Sequence, residues 1–316
     1  MTQSVDQALE AFSPDLPLTV AYSGGADSSA LLLACVKKWP GQVQAVHVNH
    51  RLQPAADGFE QHVRGVCANL GVALKVYQVH AHNQIGESPE DAARKARYAT
   101  FKTMASERAD KNQAFSLALA QHADDQVETM LLALSRGAGL PGISGMAASS
   151  VRDGVHYLRP FLQLASSDIR RWLSNQGVSF IEDPSNADQR FTRNRIRSNI
   201  TPALQACFAH YRDTFARSAA HAAQAQLVLD DVAAQDLLQV GESPRIRALQ
   251  ALSEPRRANV LRHWFKKNFQ VVPSTAQMTE LVRQIRACTT RGHDLDLKIA
   301  GGRCQRRGPV LHWYNP

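Results

Sequence analysis

Through roughly the first 185 residues of this 316-residue chain, short apolar runs alternate with amphipathic stretches long enough to be helices. Strand-like runs fall at residues 18–22, 43–48, 74–79, 114–120 and 155–161. Helical patterns lie between them at residues 28–37, 57–70, 89–107 and 124–135. That alternation predicts an α/β fold, a doubly wound and mostly parallel sheet with helices on both faces. Such sheets gather their ligands at the C-terminal ends of the strands. Residues 23–28, 47–51 and 121–125 each follow a strand directly and should converge on one rim. Residues 136–150 are Gly-rich and read as a loop, and residues 184–200 form a polar, Arg-rich segment. Beyond them the composition turns Ala- and Gln-rich. Helical patterns then return at 245–252, 256–269 and 275–287, with strand-like pieces at 295–299 and 310–314. We therefore expect a catalytic α/β domain over 1–202, a helical connector over 203–240, and a smaller, mainly helical C-terminal domain over 241–316.

The junction of the first strand and first helix reads Ser23-Gly24-Gly25-Ala26-Asp27-Ser28. Glycines let the backbone turn sharply and approach a ligand closely. The helix that follows offers free N–H groups and the positive end of its dipole to an anion. No Lys follows the glycines as a Walker loop requires, and the G-x-G-x-x-G spacing of a Rossmann loop is absent. The pattern S-G-G-x-D-S instead resembles the pyrophosphate loop of the ATP pyrophosphatases, which cleave ATP between its α and β phosphates. That resemblance makes Ser23, Gly24, Gly25, Ala26, Asp27 and Ser28 candidate ATP-binding residues. Asp27 beside a triphosphate calls for a divalent cation, since Mg²⁺ takes one or two carboxylates plus phosphate oxygens. An N-cap role for Asp27 is the competing reading.

Charge is unevenly placed. Residues 241–316 hold 14 Lys+Arg against 5 Asp+Glu, although the whole chain carries a net charge of only +8. A localised basic excess suggests a polyanionic partner. Five cysteines at 35, 67, 207, 288 and 304 include no close pair, which fits a reducing cytoplasm and offers no zinc knuckle. No apolar run approaches the ~20 residues needed to span a bilayer, so no membrane role is expected.

Three further clusters carry chemistry. Gln121-His122-Ala123-Asp124-Asp125-Gln126-Val127-Glu128 opens a helix, with Asp125 and Glu128 three apart on one face. The pair can bind a metal, hold a cationic substrate or act as bases, or simply satisfy the helix dipole. Arg94 and Arg97 share a helix face and can hold phosphate, or form a solvated basic surface. Arg190, Arg193, Arg195 and Arg197 crowd eight residues and can neutralise triphosphate charge or grip a phosphate backbone. His50, at the end of the second strand, can face adenine or ribose.

Taken in order, S-G-G-A-D-S, H-V-N-H-R-L, A-R-K-A-R-Y, H-A-D-D-Q-V-E-T, R-G-A-G-L-P-G-I-S-G-M, E-D-P-S-N and R-N-R-I-R resemble the tRNA(Ile)-lysidine synthetase family of PP-loop enzymes. The resemblance implies an adenine nucleotide alpha hydrolase-like fold. It also implies an ATP-dependent ligase that adenylates the wobble cytidine of a CAU-anticodon isoleucine tRNA and joins L-lysine to its 2-position. ATP and Mg²⁺ would be required, with Asp27 holding the metal. Asp125 and Glu128 match the family's lysine-binding acids, and Arg94, Arg97, Arg193 and Arg195 would contact phosphates or tRNA. Longer family members carry a further C-terminal domain, and this chain reads as the short form. Oligomeric state stays open, with a homodimer among the options. A tRNA thiolase on the same fold is the nearest rival, but the chain has no C-x-x-C to carry sulfur. A small-molecule ligase leaves the basic tail unexplained, and a non-catalytic RNA-binding module leaves the intact Ser23 loop unexplained.

Overall fold

The computed structural model describes residues 4–50, 56–79, 89–107, 115–290 and 292–315. Arg51 and Leu52 of the H-V-N-H-R-L motif, and Ala114 at the start of the fourth expected strand, lie outside the described residues. The chain forms two compact units, one running to Ala220 and one from His221.

In the first unit, helix α1 (Val5–Glu10) precedes strand β1 (Leu18–Ala21), helix α2 (Ala26–Lys38) and strand β2 (Val43–Asn49). Helix α3 (Ala56–Asn69), strand β3 (Ala73–Gln78), helix α4 (Pro89–Ser106) and strand β4 (Phe115–Ala118) continue the alternation. Helix α5 (Ala123–Ser135) and a single turn, α6 (Leu140–Ile143), lead to strands β5 (Ser149–Arg152) and β6 (Val155–Leu158) and helix α7 (Ser166–Asn175). The sheet order is β3-β2-β1-β4-β6-β5, with every pairing parallel except β5 with β6. The strand order reverses between β1 and β4, which opens a crevice beyond their C-terminal ends.

Burial follows from that topology. β1 and β4 are central strands covered on both faces, so burial runs along them almost without alternation and takes in even Thr19 and Ser116. One face packs Leu31 and Leu32 of α2 with Ile169 and Leu173 of α7. The other packs Phe101 and Met104 of α4 with Phe115, Leu117 and Tyr157. The doubly wound, mostly parallel sheet expected from the sequence is thus observed, with four differences. Helices α1 and α7 were not anticipated. The segment 136–150, expected to be loop, contains α6 and runs into the antiparallel edge strand β5. Its hairpin turn is Asp153-Gly154, both at positive φ (53° and 75°), a two-residue turn signal legible in the sequence. Finally, β6 ends at Leu158 rather than at 161, because Pro160 has no N–H for the ladder.

Past the sheet, a short helix α8 (Thr192–Arg195), a π-helical turn (Ile196–Ile200) and helix α9 (Thr201–Cys207) lead into the long helix α10 (Tyr211–Val240). The second unit contains helices α11 (Ile246–Ala251), α12 (Glu254–Phe269) and α13 (Thr275–Ala287). It ends in an antiparallel sheet of β7 (Asp296–Ile299), β8 (Gly302–Arg307) and β9 (Val310–Tyr314). Strand β8 was not anticipated, since its Arg-Cys-Gln-Arg-Arg run carries little apolar signal. Leu237, Leu249, Trp264, Phe265, Leu281, Ile299 and Leu311 are part of this unit's core.

Candidate active site

The Ser23–Ser28 loop turns the chain from β1 into α2. Gly24 sits at φ 89°, a conformation that favours glycine, and a Cβ there would lie 3.1 Å from Val63 Cγ2. Ser28 Oγ donates to the Gly25 carbonyl (3.0 Å) and accepts from the Ser23 N–H (3.2 Å), so the loop is closed on itself. Gly25 is the N-cap of α2 and supplies no side-chain cap. The first N–H groups of the helix are therefore left for an anion. This also overturns the N-cap reading of Asp27, which is the second residue of α2 and directs its carboxylate elsewhere. Asp27 Oδ1 accepts from Ser166 Oγ (3.4 Å), and Oδ2 lies 3.6 Å from His122 Nε2.

His122 is the N-cap of α5 and almost fully buried. Three carboxylates surround it: Asp125 at 3.5 Å, Asp27 at 3.6 Å and Asp124 at 3.8 Å. Burial alone would depress its pKa, but Asp125, Asp27 and Asp124 outweigh burial and raise it to about 9. The neutral ring can accept the Asp125 N–H at Nδ1, but at 3.4 Å that bond is long. The imidazolium gives it up in exchange for three carboxylates. A single charged ring therefore bridges the phosphate loop and the first turn of α5.

Glu128, one turn on, is buried to 1% side-chain exposure. Arg197 Nε donates to Oε1 (2.5 Å), and its Nη2 donates to Oε2 and to Asp125 Oδ1 (both 3.1 Å). Arg193 Nη1 adds a bond to Oε2 (3.2 Å), while Arg193 Nε pairs with Glu90 Oε1 (2.6 Å). Burial pushes the Glu128 carboxyl above the usual range, against the pull of Arg197 and Arg193. Asn194 is buried between them in sequence and donates to the Ser185 and Asp188 carbonyls (both 2.8 Å). Asp183 caps the same turn through Ser185 N–H (2.8 Å). Nearby, Ile181 N–H reaches the Gly24 carbonyl (3.0 Å), so one segment runs from the phosphate loop to Glu128.

The expected residues separate into two groups. Asp27, Asp125, Glu128 and Arg193 share one network. Arg195 turns back to Thr192 Oγ1 (3.0 Å) and stays exposed, whereas Arg197, named in the sequence only as one of the four clustered arginines, meets Glu128 and Asp125. Arg94 is exposed and pairs with Asp91, and Arg97 is exposed. His50 is held neutral, its pKa lowered to about 4 by burial and by Arg97, and neither ring nitrogen has a hydrogen-bond partner among the described residues. Sequence reading missed Glu90, Asp124 and Arg159. Asp124 accepts from Arg212 Nε (2.6 Å), Tyr211 Oη (3.1 Å) and Ser166 N–H (2.9 Å), tying the start of α10 to α5. Arg159 is buried at the end of β6, donating to Gln121 Oε1 (2.5 Å) and the Ala147 carbonyl (2.8 Å). Its signal was a lone Arg directly before Pro160 at a strand's C-terminal end. Cys35 and Cys67 are buried, and burial pushes their thiols up to about 12 and about 11, the behaviour of core residues.

A phosphate loop at the switch point of a parallel sheet, facing an acidic helix start, defines a nucleotide-using α/β enzyme. Residues 1–204 match the family described as the PP-loop domain, and residues 245–309 match the TilS substrate binding domain. A tRNA(Ile)-lysidine synthase from Polaromonas naphthalenivorans is 56% identical over 309 residues, covering 97% of this chain and 93% of that protein. The enzyme of the same name from Burkholderia pseudomallei is 38% identical over 314 residues, and the match covers 97% of this chain but 63% of the longer protein. Among solved structures, the U34-tRNA thiolase NcsA from Methanococcus maripaludis, with its [4Fe-4S] cluster, is similar with a TM-score of 0.55. At 16% identity, over 68% of this chain and 75% of that one, it shows the shared fold alone. The chain belongs to the tRNA(Ile)-lysidine synthase family, and it is an ATP-dependent ligase of the PP-loop class.

Proposed function

We propose that the chain joins L-lysine to the 2-position of the wobble cytidine in a CAU-anticodon isoleucine tRNA. The cytidine O2 attacks the α-phosphorus of ATP and pyrophosphate leaves. The ε-amine of lysine then attacks C2, AMP leaves with the former carbonyl oxygen, and the amine loses its proton. Adenylation converts a poor oxygen leaving group into AMP. The observation that carries this reading is the single imidazole separating the Ser23–Ser28 loop from the Asp125–Glu128 pair.

Charge balance supports a cationic second substrate. The network holds five carboxylates (Asp27, Glu90, Asp124, Asp125 and Glu128) against four cations (His122, Arg193, Arg197 and Arg212). One further positive charge completes it, which suits the lysine ammonium. Arg197 already spans Asp125 and Glu128, so the ammonium competes with it there.

The free N–H groups of α2 would hold phosphate, and Asp27 would hold a Mg²⁺ that arrives with the triphosphate. Its side chain is 29% exposed at the crevice. Among the described residues no group of three His, Cys, Asp or Glu side chains is arranged to hold a metal. The fit is therefore to a metal completed by phosphate oxygens. Such a metal supplies charge neutralisation at the phosphates.

Arg193 and Arg197 would neutralise phosphate charge once freed from Glu128, while Arg94, Arg97 and Arg195 are exposed and would meet RNA. We assign catalysis to residues 1–202, a helical connection to 203–240 and tRNA binding to 241–316, in the cytoplasm. In the described residues no helix is long and apolar enough to cross a membrane.

Incubation with ATP, radiolabelled lysine and the CAU-anticodon transcript should label the RNA. Absence of label, with pyrophosphate released only when a sulfur donor is supplied, would overturn the reading.

A further inference from the structure

The three-stranded sheet has two unlike faces. Leu297, Ile299, Cys304 and Leu311 point into the core of the second unit, and Trp313 joins them. Trp313 packs on Phe269 (ring centroids 4.7 Å) and donates to the Ile299 carbonyl (3.1 Å). By the two-residue period of a strand, Asp296, Lys298, Arg303, Arg307, His312 and Tyr314 lie on the opposite face. There Arg303 is directly across from Tyr314, and Arg307 stands 5.8 Å over the Tyr314 ring. The His312 and Tyr314 rings are 6.0 Å apart and inclined at 36°. Arg303 is ordered by Asp296 Oδ1 (2.9 Å), and Gln305 donates to Asp296 Oδ2 (3.0 Å). Asp296, Lys298, Arg303 and Arg307 are exposed, one acid against three bases. His312 is half-buried, and its Nδ1 is turned away from solvent without a hydrogen-bond partner among the described residues, so the ring alone is offered at this face.

We propose that this face stacks an unpaired nucleotide of the RNA substrate on Tyr314 and His312, with Lys298 and Arg307 holding the flanking phosphates. The inference rests on the reading of the chain as a tRNA-modifying enzyme. Aromatic rings on a sheet stack bases whose faces are free, and a duplex keeps those faces inside its own stack. The excess of bases favours a polyanion, whereas two copies of the same face would repel each other.

The test uses the full chain and the CAU-anticodon transcript, with affinity measured by fluorescence anisotropy across a salt series. Tyr314→Ala should weaken binding about tenfold, the usual loss on truncating a stacking residue, and leave the salt slope unchanged. Tyr314→Phe should restore affinity. Arg307→Ala should reduce the slope of log affinity on log salt by about one. Binding to a blunt RNA duplex should be insensitive to Tyr314→Ala. Transcript binding unchanged in both Tyr314→Ala and the Tyr314→Ala, His312→Ala double variant would overturn the stacking site while leaving tRNA binding intact. A parent chain with no salt-dependent affinity for the transcript would remove the underlying reading instead. Loss of a dimer in sedimentation, with RNA affinity unchanged, would make the face a contact between copies and also overturn the proposal. Since Tyr314 is half-buried, thermal melts of each variant accompany the titrations. If Tyr314→Ala melts early, the Arg307→Ala result decides, and a salt slope unchanged from the parent's counts against the site.

Discussion

Replacing His122 with glutamine should remove a share of stability that depends on pH in a defined direction. The side chain is 7% exposed, with carboxylates of Asp125, Asp27 and Asp124 at 3.5, 3.6 and 3.8 Å. Together they raise the pKa from 6.5 to about 9 against the cost of burial. The folded state therefore binds the proton more tightly than the unfolded chain does. The resulting stabilisation is fully present below about pH 6.5, falls as the pH rises, and is gone above about pH 9. Moving the pKa this far corresponds to about 3 kcal/mol, or a difference of roughly 6–12 °C in melting temperature for a unit of this size. Glutamine can still accept the Asp125 N–H, so the cap on α5 is retained and the charge is lost. The assay is urea denaturation of both proteins at about pH 6, 7.5 and 9.5, taking the difference so that other titrations cancel. The difference should shrink steadily with pH. A constant difference, or one that grows toward alkaline pH, would mean a neutral imidazole and refute the charged bridge between Asp27 and Asp125.

Other perturbations separate the parts of the site. Glu128→Gln should impair lysine transfer more than tRNA adenylation, read as labelled lysine incorporated against pyrophosphate released; equal loss would deny Glu128 its part in seating the amine. Gly24→Ala should abolish ATP-dependent pyrophosphate release, since φ 89° is strained for alanine and its Cβ would sit 3.1 Å from Val63; normal turnover would show that the loop relaxes. Arg197→Ala should lower the KM for lysine if Arg197 competes with the ammonium, and an increase would make Arg197 part of the lysine seat. Gly302→Ala should destabilise the second unit by about 2 kcal/mol, because its Cβ would fall 2.3 Å from the Tyr314 carbonyl oxygen and 2.5 Å from the Trp313 ring; an unchanged melt would refute that packing.

Much of the site is local in sequence and was legible there. The Ser23–Ser28 loop works through glycine φ and a helix start, and Asp125 with Glu128 through helical spacing. Arg193 and Arg197 are also four apart, which puts them on one face of a helix and Arg195 on the other. That distinction required knowing that residues 192–200 are helical, and a polar, Arg-rich run carries no apolar period to reveal it. The hairpin turn at Asp153-Gly154 was likewise present in the sequence, between the segment read as loop over 136–150 and the strand expected from 155.

By itself, then, the sequence determined the alternation of strands and helices, the phosphate loop, and the basic character of residues 241–316. Each of these depends on neighbouring residues or on a simple count of charge. Only the tertiary structure decided that Arg197 rather than Arg195 meets Glu128, that Glu90 holds Arg193, and that His122 sits among three carboxylates, one of them Asp27 from the phosphate loop. Those partners lie as far apart as 103 residues for Glu90 and Arg193. Ion pairing over such separations leaves no local periodicity, because only the sheet's strand order brings the groups to one rim.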